Sequence, residues 1–396
     1  MRIAWHAISC LALIVCSAGL PSVGACPFCS APMLTLSEQL AQSDVVVLAQ
    51  WVEATKPTEK KTGNTTYEIR QVVRGSKELR KESNRIKLAR YRVGKIGDLF
   101  MLMGSKGTVI EWSRPLEVTE TSFNYIVQAP SPESPPEKRL AYFAKFLEFP
   151  DSLVANDAYG EFATARYEDI TPLAKMLPRK KVRKWIVSED TPVTRRGLYG
   201  LLLGLCGNEE DAKLMEKQIT EETEDFRLGI DGVISGYLLL TGAKGLDVID
   251  EIKLKNQKVA FSETFSTMQS LRFMWQHGAG RIDKERLRQS MRLLLSRPEL
   301  ADLVIADLAR WRDWDIQDRL MELYGAEEYD VPSIKRAIVR YMLASSQDIP
   351  KVDPSSSVSP EPILPDHVAK GRNHLAVLEK KDPKSVREAK RFFFLK

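Results

Sequence analysis

Apolar positions recur with two different periods along this chain, one before and one after a proline-rich stretch near residue 130. Asp44 opens the run Val45-Val46-Val47-Leu48-Ala49-Gln50-Trp51-Val52, β-branched and almost wholly apolar, which predicts a buried strand. Tyr67, Ile69, Gln71 and Val73 alternate with Thr66, Glu68, Arg70 and Val72 and stop at Arg74-Gly75; Ile86 and Leu88 alternate with Arg85, Lys87 and Ala89. Leu99 to Met103 is a further apolar run closed by Gly104, and Val109 to Trp112 and Phe123, Tyr125, Val127 complete about six short predicted strands. That spacing favours a small barrel or sandwich.

From Glu137 to Ser346 the period becomes helical. Leu198, Leu201, Leu202, Leu205 and Cys206 fall at i, i+3, i+4, i+7 and i+8, and Ile230, Val233, Ile234, Tyr237 and Leu238 repeat the spacing. Leu287, Met291, Leu294 and Leu295 follow, then Leu300, Leu303, Val304, Leu308 and Trp311, then Ile334, Ala337, Ile338, Tyr341 and Met342. Start signals stand where these helices should begin, at Thr191-Pro192, Asp283, Pro298 and Val331-Pro332. About ten to twelve helices joined by short Gly, Asn or Pro turns imply antiparallel neighbours stacked in order, which resembles an α-solenoid of the HEAT or armadillo type. The helix pairs share no strict repeat, so an irregular bundle stays open.

Together these periods predict an α+β multidomain chain. A small antiparallel, OB-like β-barrel would occupy residues 26–129 and an all-α, HEAT-like array residues 137–346, two differently built cores in tandem across the linker at 130–136. Residues 347–365, rich in Pro and Ser, read as a flexible linker, and 366–396 as a basic helical tail ending in Arg391-Phe392-Phe393-Phe394. Three adjacent phenylalanines should dock on the body, a partner or a membrane surface.

The first 25 residues have the plan of an export signal: Arg2, an apolar run from Ile8 to Leu20, and small residues Val23-Gly24-Ala25 before Cys26. Export to the periplasm, cell envelope or medium is the expectation, with plain cleavage or a lipidated Cys26 as the two outcomes. The whole chain carries a formal charge of +5. Residues 366–396 hold nine Lys or Arg against four Asp or Glu, so without Arg2 the rest sums to minus one. Nothing in that balance calls for nucleic acid; a protein partner is expected, with membrane contact open through a lipidated Cys26 or the basic tail.

The order of a Cys-x-x-Cys start, a helix-like Leu34 to Gln42, then SDVVVLAQWVEA, TYEIRQVVRG and IGDLFMLMG resembles the netrin-like or tissue-inhibitor-of-metalloproteinase-like OB barrels over about 100 residues. The later cysteines that staple such barrels are missing. The resemblance implies a Greek-key barrel and a metalloprotease-inhibitor-like module in which a free Cys26 amine and carbonyl chelate another protein's metal; those inhibitors use Cys-x-Cys, not Cys-x-x-Cys. The wider plan, CPFC after a signal, VVVLAQ, DAYGEFA and RRGLYGLLLGLCG, is similar to secreted bacterial proteins, which implies an envelope location and no activity.

Cys26-Pro27-Phe28-Cys29 is the sharpest chemical motif. It predicts either a disulfide tying down the new N-terminus or, as in the glutaredoxins it resembles, a thiol-disulfide exchange site. The exchange reading wants a βαβ frame that the flanking sequence does not offer. Haem attachment would need His where Ser30 stands, and zinc would need ligands beyond the distant His277, His367 and His374. No metal and no cofactor is therefore expected. Asp157 and Glu161, at i and i+4 on one helical face, are candidates for acid-base or cation chemistry, or else a solvated face answered by Arg166 or by Arg195-Arg196. Cys206 reads as a buried inert thiol and His277 as a capping or surface residue. No phosphate loop, dinucleotide fingerprint, zinc-protease or serine-hydrolase signature is present, so no catalytic residue is assigned. An exported, non-enzymatic interaction or scaffold protein is the expected function, with an envelope thiol-disulfide oxidoreductase as the alternative.

Overall fold

The computed structural model of the chain describes residues 26–29, 34–75, 84–221, 223, 226–349, 364–391 and 393. The segment 1–25 expected to be an export signal, most of the expected linker at 347–365, and Phe392 and Phe394 lie outside them. The described chain is mixed α+β, a six-stranded antiparallel sheet in the N-terminal part and seventeen helices, nearly all after it.

The strands are β1 (Val45–Thr55), β2 (Asn64–Arg74), β3 (Arg85–Leu88), β4 (Leu99–Lys106), β5 (Ile110–Trp112) and β6 (Leu116–Val118). Their order is β3-β2-β1-β4-β5, with β6 also on β4. β1 lies between β2 and β4, paired from Val45↔Gly104 to Gln50↔Leu99 on one side. Its unbroken apolar run follows from burial of both faces. Val45, Val47 and Ala49 pack with Tyr67, Ile69, Phe100 and Leu102 in a core made by the sheet alone. Val46, Met101 and Met103, on the opposite face, belong instead to the large core formed by the helices. The two cores are thus not simply in tandem: one face of the sheet is a wall of the helical one.

The helix α1 (Leu36–Gln42) precedes the sheet and α2 (Glu120–Gln128) follows it. Here the expected strand at Phe123, Tyr125 and Val127 is corrected. Thr119 caps the segment in a reciprocal box with Ser122, and Phe123, Tyr125 and Ile126 are buried while Val127 stays exposed. The capping hydroxyls and the i, i+3 pair Phe123/Ile126 outweigh the three-residue alternation. The array continues through α3 (Pro136–Phe143), α4 (Ser152–Thr164), α5 (Tyr167–Ile170), α6 (Arg179–Val187), α7 (Arg196–Cys206), α8 (Glu209–Thr220) and α9 (Ile230–Thr241). Then come α10 (Ala243–Ile249), α11 (Phe261–His277), α12 (Lys284–Leu293), α13 (Pro298–Arg310), α14 (Gln317–Gly325), α15 (Pro332–Gln347), α16 (Asp366–Lys381) and α17 (Pro383–Arg391).

Among the described residues, α7 and α9 meet backbone to backbone. Gly197, Gly200 and Gly204 face Gly229, Gly232 and Gly236, the same spacing displaced by 32 positions (229 − 197). A Cβ at Gly204 would stand 2.4 Å from the Gly236 Cα, and one at Gly232 only 2.1 Å from the Gly197 carbonyl oxygen. The basic tail completes the array: Val368, Leu378, Val386 and Ala389 are buried, and Phe393 is partly buried against the main core.

Candidate interaction site beside the Cys26–Cys29 loop

Cys26 and Cys29 are joined by a disulfide. The loop turns on a Cys29 N–H donated to the Cys26 carbonyl at 3.2 Å, and the Cys26 N–H reaches the Ala163 carbonyl of α4 at 3.2 Å. From this anchor Phe28 projects into the helices while Pro27 stays exposed. Phe28 is buried with its ring 5.0 Å from that of Phe273. It fits because Gly197 has no side chain: a Cβ there would come within 2.8 Å of the Phe28 carbonyl oxygen. Cys26 is only 3% exposed, whereas Cys29 is half-buried.

Phe28 and Cys29 form one wall of a cleft of about 500 Å³. Phe226, Leu228 and Phe261 line it as well, exposed by 70%, 41% and 49%. Arg227, also in the lining, is fixed by two hydrogen bonds to Glu263, at 2.8 and 2.5 Å, and Lys253 reaches the same carboxylate at 2.9 Å. Burial alone would raise the Glu263 pKa, but the bonds from Arg227 and Lys253 hold it below the usual range. The cleft also contains Asp231, whose carboxyl is pushed up by burial. Its chemistry is therefore apolar and aromatic, edged by the Arg227–Glu263–Lys253 ion cluster.

Asp157 and Glu161 share one face of α4, as their spacing predicts, but that face is buried: they are 9% and 0% exposed. Neither meets Arg166, which pairs with Asp169, nor Arg195, which reaches Glu148 and Asn156. Instead Asp157 accepts the Leu36 N–H at 2.6 Å and the Tyr125 hydroxyl at 2.7 Å. Glu161 accepts the Ser37 hydroxyl and an Arg139 N–H, each at 2.5 Å. The pair clamps the N-terminus of α1, where free N–H groups favour a carboxylate. Burial pushes the Asp157 carboxyl up to about 6 against the pull of the Leu36 and Tyr125 hydrogen bonds.

Cys206 is half-buried, and burial, then Asp211, push its thiol up to about 11, opposite to what a nucleophile needs. His277 stacks near Tyr167 and Phe273 and pairs with Glu168 at 3.1 Å, and burial lowers its pKa. Among the described residues no group of three or more His, Cys, Asp or Glu is placed to hold a metal, and no helix is long and apolar enough to cross a membrane. Phe226, Leu228 and Phe261 were not singled out from sequence. One signal was present: Arg227-x-Gly229-x-x-Gly232 repeats Arg195-x-Gly197-x-x-Gly200, marking the loop before α9 as a second copy of the loop before α7. Compared with protein-family models, curated proteins and solved structures, the chain matches none of them.

Proposed function

We propose that this chain is an exported, non-enzymatic interaction protein whose helical array takes an extended, aromatic-bearing segment of a protein partner in the cleft beside the Cys26–Cys29 loop. The observation that carries the reading is the group Phe226, Leu228 and Phe261, three large apolar side chains left exposed around one cleft. Phe28 indicates the kind of side chain that suits it, since a Pro-Phe segment of this same chain already seats its ring against Phe273. On this reading the sheet is the OB-like barrel and the stacked helices a HEAT-like solenoid, with the paired α7 and α9 as its clearest repeat. Export by plain cleavage before Cys26 is preferred over lipidation, because one sulfur cannot carry both the disulfide and a lipid thioether.

The test is selection of peptides from a random display library on the immobilised mature protein. Enrichment of aromatic sequences that F226S/F261S fails to hold is the expected result; no enrichment, or equal enrichment on the variant, overturns the reading. The alternative, thiol-disulfide exchange, is favoured by one observation, that Cys29 lines the cleft. Against it, the first sulfur, which acts as nucleophile in such motifs, is the buried one. Turnover in an insulin-reduction assay would establish the exchange reading, and a reduction potential below about −300 mV without turnover would remove it.

A further inference from the structure

Averaged over the body, charge nearly cancels, yet residues 175–187 read Lys-Met-Leu-Pro-Arg-Lys-Lys-Val-Arg-Lys-Trp-Ile-Val, six cations and no carboxylate. In the fold this segment is α6 with its leading turn. Val182 and Ile186 face the core, and Arg179 and Arg183 are drawn to Asp211 at 2.5 and 3.0 Å. The other four cations, Lys175, Lys180, Lys181 and Lys184, are exposed and make no ion pair among the described residues. Lys180 and Lys181 stand in the first turn of α6, which has no acidic residue, at the positive end of the helix dipole. Cations there cost stability rather than add it, so the fold does not account for them.

Large apolar groups are exposed among the lysines: Met176 by 53% and Val187 by 48%. Next to them is a cavity of about 420 Å³ lined by Leu173, Met176, Pro178 and Trp185, with Lys145 and Lys181 also in its wall. An exposed Lys cluster around apolar side chains and a half-buried tryptophan is matched to a ligand with phosphates on one side and hydrocarbon on the other.

We propose that the α6 face binds the surface of an anionic phospholipid bilayer. The lysines sit among the headgroup phosphates while Met176 and Val187 enter the acyl boundary. This surface is separate from the cleft at Cys29 and does not depend on how that cleft is used.

The experiment is co-sedimentation of the mature protein with phosphatidylcholine vesicles, alone or mixed with phosphatidylglycerol, at low and high salt. Binding should require phosphatidylglycerol and fall as salt rises. Each lysine near such a surface adds about fivefold to partitioning, so K180Q/K181Q/K184Q should lose roughly a hundredfold. M176Q, which leaves the charge unchanged, should also weaken binding. These side chains are exposed, and an unaltered circular dichroism spectrum confirms that the variants fold. No dependence on phosphatidylglycerol, or a triple-lysine variant that binds like the parent, overturns the proposal. So does full binding by M176Q together with equal binding to soluble polyphosphate, since the face would then be a bare polyanion exchanger.

Discussion

Replacing Gly204 by alanine should destabilise the protein although it improves helix propensity. In an open helix interior the change gains roughly 0.5–1 kcal/mol, because alanine loses less backbone entropy on folding. At Gly204 the new methyl would stand 2.4 Å from the Gly236 Cα and 2.7 Å from its carbonyl oxygen, both backbone atoms of α9 that no rotamer change can remove. Carbon atoms rest at about 3.5–4.0 Å, so α7 and α9 must part by roughly 1 Å along a seam with buried side chains on both flanks. Overpacking of this kind costs typically 1–3 kcal/mol and sometimes more, so a net loss of about 1–2 kcal/mol is expected. Gly160 in α4 is the internal control: the nearest atom to its Cβ would be Thr35 Cγ2 at 3.7 Å, an ordinary contact. Gly160→Ala should therefore stabilise by a few tenths to about 1 kcal/mol. Urea unfolding followed by circular dichroism separates the two by sign. The double variant G204A/G236A should cost less than the sum of the singles, because the first methyl has already opened the seam for the second. A neutral or stabilised G204A would refute the close-packed α7/α9 pair and the repeat drawn from it.

Two further changes probe the clamp on α1 and the N-terminal loop. Asp157 is protonated in the folded state up to about pH 6 and in the unfolded chain only up to about 3.9, so its contribution is full below pH 4 and fades as pH rises through 6. The stability of the parent minus that of Asp157→Asn should fall between those limits by up to about 2–3 kcal/mol, and a flat difference across that window would show that burial does not govern this carboxyl. Reducing Cys26–Cys29 should cost at most about 2 kcal/mol, since so short a loop restricts the unfolded chain little. Phe28→Ala should cost about 3 kcal/mol through its lost contact with Phe273; denaturant curves with and without reductant rank the two, and the reverse order would mean that the disulfide, not the phenylalanine, seats the loop.

What could be read from the sequence was whatever depends on near neighbours. The apolar run of β1 announced a doubly buried strand, and the i, i+4 spacing put Asp157 and Glu161 on one face of α4. Their partners could not be read, because Leu36 and Ser37 lie 121 and 124 positions earlier and no local pattern marks them. At 123–127 two short-range signals disagree, alternation for a strand and a cap for a helix, and the hydroxyls of Thr119 and Ser122 decide for the helix. Gly200 and Gly204 carry no local signal of what they meet, because their lack of side chains is itself the contact surface and its partner lies 32 positions on.

The same distinction governs the architecture. Periodicity reports which face of an element is buried, not against what. Val46 and Val47 are adjacent, equally apolar and equally inaccessible, yet Val47 joins a core made only by strands while Val46 joins the helices. A strand with both faces covered reads the same whether the second cover is another sheet or a helix, so the change of period near Pro130 locates a change of secondary structure without dividing the hydrophobic interior. Because Val46, Met101 and Met103 sit in the helical core, damage on that face of the sheet should be felt by the helices, whereas damage at Val47 or Leu102 acts first on the strands alone.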